Sequence, residues 1–180
     1  MQTQRVINVA KKRLKENPFD PVHDYKHHEF VYANCVGIIK TEVLKVDKDL
    51  LFISAWFHDI EDRTGKTDFM EETMRKYGFA EEQIEKCKTI VKEHTYGKGQ
   101  TLLESKVLYD SDKLEYFSYQ RISNAKELTK AGKMSPELLK KYKKTWEDRH
   151  MDVLYSFNFK SNKNRALDKL LTIKELVEGL

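Results

Sequence analysis

Apolar residues recur at helical spacing along most of the chain. Val6, Ile7, Ala10 and Leu14 share one face of a stretch predicted to be helical over residues 2–16, which Pro18 closes. After a loop through Asp20 and Pro21, a second helix is predicted over 24–45, and a third over 48–59. In the third, Leu50, Leu51, Phe52, Ile53, Ala55, Trp56 and Phe57 leave almost no polar side. A helix apolar all round belongs at the centre of a fold. Further helices are expected over 67–77 and 81–95, the latter with Ile84, Cys87, Ile90, Val91 and His94 on a common or adjacent face. A long one is expected over 103–130, and two more over 135–157 and 162–179.

A 39% apolar content with 34% charged residues suits a helix-rich protein, and three prolines and seven glycines leave few places to break helices, so the expectation is an all-α fold. At 180 residues, without internal repeat or linker, the chain reads as one compact domain spanning 1–180. No stretch approaches the roughly 18 apolar residues of a membrane span. Residues 1–17 carry interspersed charges instead of a signal peptide's apolar block, which predicts a cytoplasmic protein with no membrane partner. Cys35 and Cys87 lie on predicted helices without metal-motif spacing and read as reduced core thiols. The net charge of +4 comes from 33 basic against 29 acidic residues, too small an excess to imply nucleic-acid binding. Its best local support is the mixed run KKYKKTWEDR from Lys140 to Arg149, which reads more simply as a solvated helix face.

The central apolar helix ends in LLFISAWFHDIED, so His58 and Asp59 are delivered together where the core meets water. An imidazole beside a carboxylate is a common pairing of ligands for a divalent metal. Two further segments supply the same residue types. DPVHDYKHHEF offers His23, His27 and His28, and VLYDSDKLEYF offers Asp110 and Asp112. His27 is in phase with Val31, Asn34, Cys35 and Ile38, an apolar-leaning face, whereas His28 is in phase with Tyr32 on a more polar flank. Asp112 is in phase with Leu108, Tyr116 and Tyr119 and is expected to point inward, where a carboxylate needs a partner or a cation.

This ordered set, H…HD…D, resembles the HD superfamily of metal-dependent phosphohydrolases over roughly residues 20–120, with DPVHDYKH similar to its first-histidine segment and DSDKLEYF to its last-aspartate helix. The resemblance implies a helical HD-domain bundle with a metal site between core helices, and a metal set of His27, His58, Asp59 and Asp112. It implies one divalent ion, with Mn²⁺, Fe²⁺, Co²⁺, Ni²⁺ or Zn²⁺ suited to the mixed nitrogen and oxygen set and Mg²⁺ less so. Asp62, with Glu61 as the alternative, matches the acidic residue that orients or deprotonates the attacking water. Lys113, His94, Tyr116, Arg63 and Lys98 are the substrate-contact candidates. His23 and His28 are left open.

The implied activity is hydrolysis of a small phosphate ester or anhydride, with a nucleotide as the expected substrate. The alternatives are a non-catalytic HD domain that binds a nucleotide or a protein partner, and an oxygenase built on an iron pair, which would require more histidines. A homo-oligomer is left open. The C-terminal third carries no catalytic motif and is expected to pack on the core and shape the substrate opening.

Overall fold

A computed structural model describes residues 2–179; the terminal residues of the expected 1–180 domain lie outside the described range. Among the described residues every regular element is an α-helix. No helix is long and apolar enough to cross a membrane. The chain divides into two compact units, Met1–Asp112 and Lys113–Leu180.

The first unit contains α1 (Gln2–Glu16), α2 (Tyr25–Thr41), α3 (Lys48–Phe57), α4 (Asp68–Lys76), α5 (Glu81–Glu93) and the first part of α6 (Leu103–Tyr116). As its composition requires, α3 lies at the centre and packs against α1, α2 and α5. Seven of its ten residues are buried, Leu50, Leu51, Ile53, Ser54, Ala55, Trp56 and Phe57. From α1 come Val6, Ile7, Ala10 and Leu14, the face read from the sequence. Lys11 and Lys15 extend their ammoniums over the rings of Trp56 and Tyr25, 4.5 Å from each centroid, so long basic side chains cover apolar rings beside the core.

Local signals fix the helix ends that matter for the site. Asp24 caps α2 by accepting from the backbone N–H groups of Lys26 and His27, and Asp47 caps α3 by accepting from Leu50 N–H. The Asn34 side-chain amide donates to the carbonyl of Ser111 at 3.1 Å, tying α2 to α6 one residue before Asp112. Cys35 and Cys87 are both buried and unbridged, as expected, and burial pushes each thiol up to about 12.

The second unit contains the end of α6, α7 (Tyr119–Lys130), α8 (Pro136–Ser156) and α9 (Lys160–Glu178), with the last three packed pairwise. Its core joins Ile122 of α7, Trp146, Val153 and Leu154 of α8, and Ala166, Ile173 and Val177 of α9, with Phe117. Trp146, one of the two aromatics of the basic run, is 2 % exposed and donates from Nε1 to the Tyr116 carbonyl at 3.0 Å; its ring belongs to the core.

The single long helix expected over 103–130 is two. Ser118 takes an extended conformation and caps α7 by accepting from Arg121 N–H, while Phe117 turns into the core. A serine cap and one buried aromatic interrupt an apolar periodicity that runs on across the break. Tyr119, beyond the break, is accordingly exposed and leaves the phase it was expected to share with Asp112.

Candidate metal centre

The HD doublet stands in the turn that ends α3. His58 is the C-cap residue, and its Nδ1 lies 2.9 Å from the carbonyl oxygen of Ala55. A carbonyl can only accept, so Nδ1 carries the proton and Nε2 presents a lone pair. The same construction recurs at the end of α5, where His94 is the C-cap and its Nδ1 donates to the carbonyl of Val91. Carbonyls in the last turns of two helices thus orient two imidazoles.

His27, the third residue of α2 after its Asp24 cap, brings Nε2 to 3.1 Å from His58 Nε2 and 3.6 Å from Asp112 Oδ1. His58 Nε2 is 3.8 Å from Asp59 Oδ2 and 3.9 Å from Asp112 Oδ1. One ligand atom from each of His27, His58, Asp59 and Asp112 falls within 4.8 Å of the others, and all four residues are buried. Burial pushes His58 down to about 4 against the opposing charge of Asp59, so its ring is neutral at neutral pH. Imidazole nitrogens and carboxylate oxygens collected away from water form a donor set that a divalent cation satisfies, and two nitrogens with two oxygens fit a borderline divalent metal. The four residues could therefore hold a metal ion.

Around this quartet lie residues that the spacing left open. His23 donates from Nδ1 to Asp20, with both carboxylate oxygens at 2.9 Å, and its Nε2 faces Asp59 Oδ2 at 3.7 Å. Asp20 also accepts from the backbone N–H groups of Val22 and His23 and from the Arg63 guanidinium. Although burial opposes it, the His23 imidazole and then the Arg63 guanidinium hold the Asp20 carboxyl well below the usual range. The signal was present in the sequence as an aspartate three residues before a histidine at a loop–helix junction, but only the fold brings Arg63 to it. His28, assigned by phase to a polar flank, is fully buried. Its Nδ1 is 3.3 Å from the same Ala55 carbonyl that holds His58, and its ring lies 4.5 Å from the His58 ring, while Nε2 has no hydrogen-bond partner among the described residues. The flank is covered by Trp56 of the adjacent helix, whose ring stacks on that of His28.

The other candidate residues are dispersed. His94 reaches the centre, with Nε2 3.2 Å from Asp59 Oδ1. Asp62 shapes the following loop by accepting from the N–H and hydroxyl of Thr64 and from Lys66 N–H. Glu61 accepts from Phe69 N–H in the first turn of α4 and lies 3.6 Å from the Lys66 ammonium. Arg63 is engaged with Asp20, and Lys98 lines a cleft with Asp62 and Lys66. Lys113 follows Asp112 on α6 and is half-buried. Tyr116 donates its hydroxyl to the Thr145 carbonyl at 2.8 Å and lies parallel to Trp146.

No family model matches the chain, and no curated protein matches it in sequence. Similarity appears in three dimensions. A predicted HD superfamily hydrolase from an uncultured Thermotogales bacterium superposes with a TM-score of 0.65 at 19% identity, covering 97% of this chain and 88% of that one. The fold is the all-α HD-domain fold. A structure from Lactobacillus plantarum reaches a TM-score of 0.78 at 15% identity over 99% of this chain and 94% of its own. Bacillus subtilis YpgQ, in complex with ADP, gives 0.65 at 15% identity over 100% and 97%.

Proposed function

We propose that this protein is a metal-dependent phosphohydrolase that cleaves a small phosphate ester or anhydride, with a nucleotide as substrate. The observation that carries the reading is the buried quartet of His27, His58, Asp59 and Asp112, whose ligand atoms gather within 4.8 Å in an HD-domain fold. A divalent ion held there would lower the pKa of a bound water toward neutrality and offset charge on a phosphoryl oxygen. In this reading the chain's residues do the rest. His27 and His58 offer ring nitrogens, Ala55 and Val91 hold the rings of His58 and His94, and Asp20 holds His23 against Asp59. Asp62 or Glu61 would orient the attacking water, and Lys113, next on α6 after the last ligand, would meet a substrate phosphate. The choice of a nucleotide is supported by the ADP bound to YpgQ, a protein of the same fold.

The test is release of phosphate and pyrophosphate from a panel of nucleotides and simple phosphoesters. Metal-stripped protein is supplied in turn with Mn²⁺, Co²⁺, Ni²⁺, Zn²⁺ or Mg²⁺ beside an Asp59→Ala control. Release that requires the metal and disappears in the control is expected. Metal binding without release under any condition would instead support an HD domain that binds its ligand without turnover.

A further inference from the structure

The last two helices of the second unit run antiparallel. Only three residues join α8 to α9, and Val153 and Leu154 late in α8 share a core with Ala166 early in α9, as Trp146 does further back with Ile173 further on. One side of this pair leaves apolar side chains in water. Met151 and Tyr155, a turn apart on α8, are 41 % and 68 % exposed, and Leu167 and Leu171, a turn apart on α9, are 52 % and 75 % exposed. The Lys163 ammonium lies 4.2 Å from the centroid of the Tyr155 ring, which puts Tyr155 beside the start of the α9 stripe. One turn along each helix from that contact, Met151 and Leu167 stand at the same level. Adjoining exposed apolar residues of this kind mark an interaction surface.

The kind of partner follows from the charges along α9. Lys160, Lys163, Leu167, Leu171, Glu175 and Glu178 lie on one stripe, at successive steps of three, four, four, four and three residues. The spacing is the same read from either end, while the charge is reversed. This arrangement does not serve the helix itself. The first turn holds no acidic residue and the last turn no basic one, the opposite of what the helix dipole favours. Among the described residues, Lys160, Lys163, Glu175 and Glu178 form no ion pair. A second α9 laid antiparallel would bring acidic groups to the basic end and basic groups to the acidic end.

We propose that this face joins two copies of the chain about a two-fold axis, with α9 antiparallel to α9 of the second copy and centred on Lys169. In that register Lys160 faces Glu178 of the second copy, Lys163 faces Glu175, and Leu167 faces Leu171, each pair occurring twice. Asn164 and Lys174, also on the stripe, face one another and set no like charges together. Lys169 itself lies about half a turn from Leu167 and Leu171, so its two copies do not meet. Such self-complementarity is what an isologous contact requires and a foreign partner does not. At 1.5 Å per residue the stripe is about 27 Å long, a contact of the small, reversible kind, with the charges fixing the register. The pairing is independent of what the metal centre does.

The test is sedimentation of the full chain from about 1 to about 200 µM, a range that brackets micromolar self-association. Wild type is compared with Lys160→Glu/Lys163→Glu, with Glu175→Lys/Glu178→Lys, with the two variants mixed, and with all four changes in one chain. Wild type is expected to dimerise, and each double variant to do so about tenfold or more weakly, because every pair becomes a like-charge pair. The mixture is expected to form a heterodimer, and the fourfold exchange to regain the wild-type association. These reversals favour the isolated helix through its dipole, so a lost dimer is not a lost fold, which thermal melting confirms. A wild type that stays monomeric, double variants that associate like wild type, or a mixture and fourfold exchange that restore nothing would each overturn the assignment.

Discussion

His94 Nε2 lies 3.2 Å from Oδ1 of Asp59, the carboxylate at the heart of the buried quartet. Nδ1 of the same ring donates to the Val91 carbonyl, and because a carboxylate oxygen only accepts, Nε2 bonds to Asp59 as an N–H donor, which takes a proton on both ring nitrogens. His94 is thus oriented by its own helix toward a candidate metal ligand. Partners of this kind typically contribute about 10- to 100-fold to metal affinity or rate. His94→Ala is expected to weaken divalent-metal affinity or turnover by that order, read by metal titration and steady-state kinetics. A variant with wild-type affinity and rate would remove His94 from the site.

Asp62 is placed to separate two roles by substitution. Its carboxylate accepts from two backbone N–H groups and one hydroxyl, so Asp62→Ala is expected to destabilise the protein by about 1–2 kcal/mol. Asp62→Asn keeps a side-chain oxygen for the turn and is expected to retain most of that stability. If Asp62 also handles the proton of the attacking water, Asp62→Asn will lower turnover while leaving the urea midpoint and metal content near wild type. Wild-type turnover in Asp62→Asn would confine the residue to shaping the loop.

Stability should fall with acidification in a window set by buried histidine. His58 titrates near 6.5 when unfolded and at about 4 when folded, chiefly because burial disfavours the imidazolium, and His28 is held well below 6.5 for the same reason. Between these values the unfolded chain binds more protons than the folded one, so stability rises with pH across the window and is lost as pH falls through it. His58 alone accounts for up to about 3 kcal/mol at the acid end. Urea unfolding in EDTA at pH 7 and pH 5 should show a lower midpoint at pH 5 with an unchanged slope. Equal midpoints would mean that these rings are not buried as described.

Gly65 and Gly97 form a matched pair for backbone strain. Both have positive φ, +86 and +84, but a Cβ at Gly65 meets the Lys92 backbone at 3.1 Å, whereas at Gly97 nothing lies within 4 Å. Gly97→Ala should cost about 1 kcal/mol from the left-handed backbone alone. Gly65→Ala should cost more, because the loop must also move off α5. Thermal and urea unfolding of the two variants checks the order; equal losses would show that the two segments separate without penalty.

Helix positions, the central place of α3 and the inward face of His27 were legible because they depend on local periodicity and on caps such as Asp24 and Asp47. The H…HD…D order was legible for the same reason: its members are marked by residue type and by the face they occupy. The break at Phe117–Ser118 was not legible, since one capping serine competes with a continuing apolar pattern, and packing of Phe117 into the core decides the outcome. Nor could phase reveal that His28 is buried, because Trp56 covers it from another helix. The convergence of Asp20 and Arg63 spans 43 residues, and that of His94 and Asp59 spans 35. Sequence by itself determined which side chains each helix could offer to a metal. Tertiary structure decided which of them share a carbonyl, a carboxylate or a cleft, because such contacts depend on where helix ends meet in space and not on the spacing along any one of them.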